Sequence, residues 1–238
     1  MQDTYFDTET LLNRLRELAD EKYRHFNEGL IPGAENTSLG VRAPALRTIS
    51  RELLRGDWRS FLEISRNHPV YEMRLLHAMV LGGAKCDIKE KIGHTDAFLP
   101  WVDNWAVCDT LCASFKPNTA DREALFSFVC QCAASEMEFR KRFGLIMMMN
   151  YYRDEPYIGQ VMEAYRDFSH EGYYARMGAA WGLATLFVYQ REKVLALLQS
   201  DHLDEFTHNK AIQKMRESYR ISPQDKAMLR DMRRKNSK

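Results

Sequence analysis

Apolar residues recur with helical spacing along the whole chain. Leu11, Leu15 and Leu18 repeat every three or four positions, as do Leu46 and Ile49. This spacing places each set on one face of an α-helix. No run of alternating β-branched residues is bounded by Asn-Gly or Asp-Gly turns, so no strand is predicted. The pattern therefore predicts an all-α protein.

The segment Gly29–Pro44 interrupts the helical pattern. It holds three glycines and two prolines, which makes it the clearest loop of the chain. We find no linker that would divide the chain elsewhere. One helical-repeat domain over residues 1–238 is therefore predicted, with a loop at 29–44 and a basic tail at 234–238.

A faint internal period points to repeated helical units. Arg74, Arg142, Arg176 and Lys210 fall on a 34-residue grid whose intervening point is Cys108. Each position opens an apolar helical stretch, and such periods are typical of α-solenoids. Because no tetratricopeptide consensus is visible, we expect a right-handed stack of HEAT-like repeats with a concave, positively charged surface. Chance spacing in a charged helical protein is the alternative.

Composition narrows the class of protein. Glycine and proline contribute only 19 of 238 residues, which excludes a loop-rich or low-complexity chain. Five irregularly spaced cysteines do not suit a disulfide scaffold. The acidic N-terminal segment lacks an apolar signal core, and no apolar stretch is long enough to span a bilayer. A cytoplasmic protein with no membrane association is expected.

Charge is unevenly distributed. The 34 basic and 33 acidic residues nearly cancel, but the segment His208–Lys238 holds ten basic residues against three acidic ones. This end therefore carries +7, and the preceding 207 residues carry −6. Such an asymmetry suggests an end that faces a polyanion. A solvated helical terminus would give the same charge run.

One apolar helix carries a carboxylate. Within Val102–Phe115, Trp105 precedes Asp109 by four positions, so both lie on one helical face, one turn apart. A carboxylate among apolar neighbours is partly desolvated, which is costly unless its charge is paired. Asp109 therefore caps a helix or pairs with an arginine for structure, or it is held as an anion to meet a developing positive charge.

Two more residues are candidates for a site. Trp181 has small neighbours, including Gly178 and Gly182, which allow either close helix packing or entry of a ligand against the indole. Arg142 opens an otherwise apolar helix and needs a partner such as Asp109 or a phosphate. No Cys or His spacing suits a metal ion, and no glycine-rich nucleotide motif is present. Neither a metal nor a cofactor is predicted.

Taken together, four segments resemble the AlkD-type DNA alkylation repair proteins. They are the W-x3-D pair, RFGLIMMMNYY, RMGAAWGLA and HNKAIQKMRESYRIS, and their order and spacing cover nearly the whole chain. The resemblance implies a solenoid of HEAT-like repeats whose basic concave face holds duplex DNA. Active members of that family are DNA glycosylases that remove cationic N-alkylated purines such as 3-methyladenine and 7-methylguanine.

The resemblance also implies roles for single residues. Asp109 corresponds to the family's catalytic aspartate, and Trp105 and Trp181 correspond to its two tryptophans. Arg142 matches its arginine, with Arg140 as the neighbouring alternative. These four, Asp109, Trp105, Arg142 and Trp181, are the predicted catalytic residues. The predicted nucleic-acid-binding residues share a positive charge: Arg42, Arg176, Lys210, Lys214, Arg216 and Arg220.

The chemistry agrees with these roles. An alkylated purine already carries a positive charge, so its departure needs no general acid. One carboxylate can then stabilise the oxocarbenium-like sugar or orient a water. Indole faces attract cations, and Arg142 would hold a backbone phosphate. We therefore predict a monomeric glycosylase for alkylated double-stranded DNA, associated with a bacterial nucleoid and using no metal or cofactor.

Two features point to other functions. The loop Gly29–Pro44 is longer than in the best-known active members and resembles a divergent branch of the family. Residues 1–207 are net acidic, which is weak for a protein that clamps a duplex. The alternatives are a non-catalytic DNA-binding paralogue and a HEAT-like scaffold for protein interactions.

Overall fold

The computed structural model describes residues 7–31 and 37–234. Within these ranges the chain forms fourteen α-helices and a short 3-10 helix at Leu99–Trp101, and it forms no β-strand. The prediction of an all-α protein is confirmed. Parts of two predicted segments, namely 32–36 of the loop and 235–238 of the basic tail, lie outside the described residues.

The chain divides into two compact units, one ending at Asp121 and the other beginning at Arg122. The single repeat domain over the whole chain stays a prediction. The helices of the first unit are α1 (Thr8–Glu17), α2 (Glu21–Glu28), α3 (Ala43–Leu53), α4 (Trp58–Ser65), α5 (Tyr71–Gly83), α6 (Ile88–Phe98) and α7 (Trp105–Phe115). Those of the second are α8 (Arg122–Ala133), α9 (Glu138–Tyr151), α10 (Ile158–Arg166), α11 (Tyr173–Phe187), α12 (Arg191–Gln199), α13 (Glu205–Glu217) and α14 (Pro223–Asp231).

Each unit is built from a row of buried helices covered by shorter ones. In the first unit α5 packs between α3 and α7, with α4 and α6 against it. In the second unit α11 packs between α9 and α13, and α8, α12 and α14 each cover one helix of the row. We call α5, α7, α9, α11 and α13 the core helices. Their first residues are 32 to 35 positions apart, which confirms the predicted helical repeat.

Glycines let neighbouring helices approach closely. A Cβ added to Gly82 of α5 would lie 2.5 Å from the Cβ of Ser114 on α7. A Cβ added to Gly144 of α9 would lie 2.3 Å from the backbone nitrogen of Ala133, which ends α8. No side chain fits in these places, so the close packing of these helix pairs depends on the glycines.

The end of α1 differs from the sequence prediction. Leu11 and Leu15 are buried, but Leu18 is 42% exposed. Leu18 is the residue that follows the last helical residue, so the periodicity that places Leu11 and Leu15 no longer applies to it. Its assignment to the apolar face of the helix is therefore wrong.

A buried carboxylate organises the described part of the loop before α3. Glu72 of α5 accepts hydrogen bonds from the backbone N–H groups of Leu39, Gly40 and Val41 over 2.8–3.2 Å. Gly40 has φ of 82°, in the left-handed region where a Cβ is unfavourable. The chain thus enters α3 along a defined path, because one side chain binds three successive amides.

A buried histidine lies in the core of the first unit. The hydroxyl of Ser65 donates to the carbonyl of Phe61 at 2.7 Å, so it accepts from Nδ1–H of His77, 2.8 Å away. The imidazole stacks on Phe98 with ring centroids 3.9 Å apart, and its Nε2 has no hydrogen-bond partner among the described residues. Burial lowers the pKa of His77 to about 3, because a proton on Nε2 would bring an unpaired charge into the core.

This histidine makes stability depend on pH. Because the pKa of His77 is lower in the folded state, the unfolded chain binds a proton first, and stability falls as the pH drops from about 6.5 towards 3. The slope from one such group is at most about 1.4 kcal/mol per pH unit. We expect His77→Asn to have a shallower fall in the free energy of unfolding between pH 6 and pH 4, measured by urea denaturation. The exposed His202→Asn is the control, and an equal slope in wild type and His77→Asn would contradict the assignment.

Candidate functional site

Helix α7 presents two different faces. The side chain of Asn104 caps its first turn by accepting the N–H of Val107 at 3.0 Å, and Lys116 ends it in a left-handed conformation. The buried face packs against α5. Trp105 and Asp109 lie half-buried on the helix, one turn apart. The cap of α7 is therefore Asn104.

Trp105 borders an open cavity in the first unit. Its indole Nε1–H donates to the backbone carbonyl of Leu30 at 3.1 Å, which ties α7 to the end of α2. The open cavity beside it has a volume of about 710 Å³ and lies among α2, α3, α5 and α7. Its lining mixes polar and apolar side chains, with Arg47 and Lys116 as the cationic members. Trp105 therefore stands where a bound group could meet its ring.

Arg142 is a buried residue that ties two core helices together. It is only 5% exposed, and its guanidinium Nη1 donates to the carbonyl of Tyr174 at 2.7 Å. Glu138, one turn earlier on α9, accepts the backbone N–H of the same Tyr174. A Cβ on Gly178 would come within 3.2 Å of the Arg142 side chain. The side chain of Arg142 thus helps to join α9 to α11.

Trp181 lies at the surface of α11 and is 36% exposed. Its small neighbours serve close packing of α11 within the second unit. A Cβ on Gly182 would lie 1.9 Å from the hydroxyl oxygen of Tyr165, which is buried and donates to the carbonyl of Leu145 at 2.8 Å. The glycines therefore hold the buried side of α11, while the indole of Trp181 remains accessible.

Two of the predicted nucleic-acid-binding residues meet on one ring. Arg176 of α11 places its guanidinium carbon 4.6 Å from the centroid of Phe206, and the Lys210 ammonium lies 5.9 Å from the same centroid. The ring of Tyr173, which is exposed, packs edge-on against Phe206 at 5.8 Å. We call Tyr173, Arg176, Phe206 and Lys210 the Phe206 cluster. It combines positive charge with exposed aromatic surface.

The remaining predicted basic residues are spread over both units. Lys214 and Arg216 occupy the last turn of α13, where the helix dipole favours positive charge. Arg220 follows α13 and is exposed. In the first unit, Arg42 pairs with Asp20 at 2.8 Å, so part of its charge is already compensated.

The grid residue Arg74 does not behave as a free positive charge. It is buried on α5 and forms an ion pair with Asp103 at 2.5 Å. Arg74 therefore adds no uncompensated charge to the positively charged surface that the sequence predicts, because the fold brings the carboxylate of Asp103 close to it.

Sequence reasoning missed one group of basic and aromatic residues. Arg153, Tyr189 and Arg220 follow three successive core helices of the second unit and contact one another through the tyrosine ring. They are 36 and 31 positions apart in the chain. The helical repeat could have predicted this group, because residues at equivalent ends of neighbouring repeats lie side by side.

We find no group of three or more His, Cys, Asp or Glu side chains that could hold a metal ion within residues 7–31 and 37–234. In the same part of the chain, no helix has the length and apolar character needed to cross a membrane.

The fold and these residues define an all-α helical-repeat protein with half-buried acidic and indole side chains and basic clusters. A sequence-family model described as DNA alkylation repair enzyme matches residues 11–215. Because this match covers most of the chain, the protein belongs to the family of DNA alkylation repair enzymes, a family whose name implies DNA as the substrate. No similar protein was found among curated proteins.

Close packing beside Trp181 can be tested by filling the glycine site. Gly182→Ala should lower the free energy of unfolding by about 1–3 kcal/mol, because the added methyl group would overlap Tyr165 in a core that has no space for it. Urea denaturation measures the loss. The control is Gly159→Ala on α10, where an added Cβ meets nothing within 4 Å. That change should raise stability by at most about 1 kcal/mol, and equal effects of the two substitutions would contradict the packing argument.

Proposed function

We propose that this protein is a DNA glycosylase that hydrolyses the N-glycosidic bond of cationic N-alkylated purines in duplex DNA. The observation that carries the proposal is the position of Asp109. In a chain of the DNA alkylation repair family, this carboxylate lies half-buried on α7, one turn after Trp105. A carboxylate in such surroundings is suited to stabilise a positive charge that develops beside it.

A single carboxylate is enough for this reaction. In 3-methyladenine or 7-methylguanine the purine carries a positive charge, so it leaves as a neutral base without being protonated. As the bond breaks, positive charge builds on the sugar, and the anion of Asp109 stabilises it or orients the attacking water. Ordinary glycosidases need a second carboxyl group as general acid because their leaving groups are not activated.

The indoles would supply selectivity for charged bases. The ring faces of Trp105 and Trp181 attract cations by about 0.5–2 kcal/mol each, depending on how far water is excluded. A neutral base gains less from the same surfaces. Arg142 completes the set that the family resemblance assigns to the lesion, with a guanidinium able to bind a phosphate.

Asp109→Asn tests the proposed catalytic role. The amide keeps the size of the side chain but removes its charge, so release of 7-methylguanine from methylated duplex DNA should fall about 100-fold or more. Affinity for undamaged duplex should stay within about twofold, because the charge acts on the developing sugar cation.

The matched control is Asp103→Asn, which changes the carboxylate that pairs with Arg74. It should retain base release even if its melting temperature drops. Release from Asp109→Asn at the wild-type rate would reject the role of Asp109. No release by wild type, together with salt-dependent DNA binding, would favour the non-catalytic paralogue.

A second prediction concerns the exposed indole on α11. Trp181→Ala should slow release of 7-methylguanine by about 2- to 30-fold, the range expected for loss of one cation–π contact. Single-turnover release measures the rate. Trp101→Ala is the control, since Trp101 is an exposed tryptophan outside the predicted set. Equal losses in the two variants would reject a specific role for Trp181.

A further inference from the structure

Three side chains at the ends of core helices form a compact cluster in the second unit. Arg153 follows α9, Tyr189 follows α11 and Arg220 follows α13. The guanidinium carbons of Arg153 and Arg220 lie 3.9 Å and 5.0 Å from the centroid of the Tyr189 ring. The tyrosine is 42% exposed, and Arg220 is exposed as well. We call these residues the Tyr189 cluster.

The backbone around the Tyr189 cluster is tied in place. The side-chain amide of Gln190 donates to the carbonyl of Arg153 at 2.9 Å, which joins the ends of α9 and α11. The N–H of Arg220 donates to the hydroxyl of Ser218 at 3.2 Å in the turn after α13. Two arginines stacked on one ring have lost much of their rotamer freedom, so binding a ligand costs them less ordering entropy.

Arg153 of the Tyr189 cluster acts on a carboxylate from beyond ion-pair distance, since it helps Arg122 to lower the pKa of Asp154, which is paired with Arg122. Among the described residues, neither Arg153 nor Arg220 takes part in an ion pair. Arg191, two positions after Tyr189, pairs with both Asp225 and Glu192. The hydrogen bond from Arg220 lowers the pKa of the Tyr189 phenol, as expected for a hydroxyl beside a cation.

The helix dipole explains part of this arrangement. Cations are favoured near the carboxyl end of a helix, and each arginine of the cluster follows such an end. The dipole would be satisfied equally by an ion-paired arginine such as Arg191. It does not account for two guanidinium groups gathered on one exposed ring without an ion pair to a carboxylate, a combination that suits a phosphate ligand.

We propose that Arg153 and Arg220, held in place by the ring of Tyr189, bind a phosphate of the DNA backbone. The inference rests on the proposed function only in taking duplex DNA as the ligand. Thirteen residues separate Arg176 of the Phe206 cluster from Tyr189, which corresponds to about 20 Å along a helix. One phosphate group is too small to bridge this span. The Phe206 cluster and the Tyr189 cluster therefore bind different phosphates.

The salt dependence of DNA binding tests the proposal. Each phosphate contact that is lost lowers the slope of log affinity against log salt concentration by about 0.9. We expect the double variant Arg153→Gln/Arg220→Gln to lower this slope by about 0.9 to 1.8, measured by fluorescence anisotropy with an undamaged duplex at several sodium chloride concentrations. Tyr189→Phe keeps the ring and should keep the wild-type slope, whereas Tyr189→Ala should weaken binding several-fold.

The matched control is Arg191→Gln, which removes an arginine of the same region that is paired with carboxylates. It should leave the slope unchanged. A wild-type slope in the double variant would overturn the proposal. So would an equal decrease per arginine in Arg191→Gln, since the effect would then reflect net charge alone. Melting temperatures check that each variant is folded.

The test of the phosphate site can succeed or fail independently of the test of Asp109 as the catalytic residue. Base release is measured on the double variant with protein in excess, where weaker binding no longer limits the rate. A reduced slope together with normal release supports the Tyr189 cluster as a binding site. If neither the wild type nor any variant releases a base, the glycosylase proposal fails. A reduced slope of log affinity against log salt concentration in the double variant would still support the phosphate site.

Discussion

Close contact between neighbouring core helices is the constraint on which the second unit depends. At Gly178 and Gly182 the absence of a side chain lets Arg142 and Tyr165 fill the space beside α11. Because that side of α11 is occupied, the large ring of Trp181 lies beside it and is 36% exposed. The same contact sets the place of Arg142, which uses one donor to hold the backbone of α11. The close packing of α11 therefore also determines where Arg142 and Trp181, two of the predicted catalytic residues, are placed.

Helix α7 shows how a site can arise from a helix with two faces. Its apolar face supplies the packing against α5, so the half-buried face can carry groups that packing does not need. An indole and a carboxylate one turn apart on that face are partly shielded from water, which strengthens electrostatic interactions. For a substrate that is already cationic, this shielding is what one anion needs to act alone. The neighbouring cavity leaves room for a bound group beside the indole of Trp105.

Several arginines of the second unit divide into two kinds, those that pair with a carboxylate and those that contact an aromatic ring without an ion pair. Arg191 and Arg122 pair with carboxylates, so their positive charge is largely compensated within the protein. Arg176 and Arg153 stack on aromatic rings, which orders the guanidinium without neutralising it. An ordered charge that is not compensated is the form most useful for holding a polyanion, because little entropy is lost on binding. A count of basic residues along the chain does not separate the two kinds.

The sequence by itself determined the helices, their repeat and the shared face of Trp105 and Asp109, because these depend on spacings of three, four and about 34 positions. Only the tertiary structure decided which partners the charged residues meet. Arg74 is neutralised by Asp103, and Arg142 binds a backbone carbonyl, neither of which a periodic pattern contains. The Tyr189 cluster joins residues more than thirty positions apart. Such contacts depend on how closely neighbouring helices pack, and that distance follows from glycines and small residues acting in three dimensions.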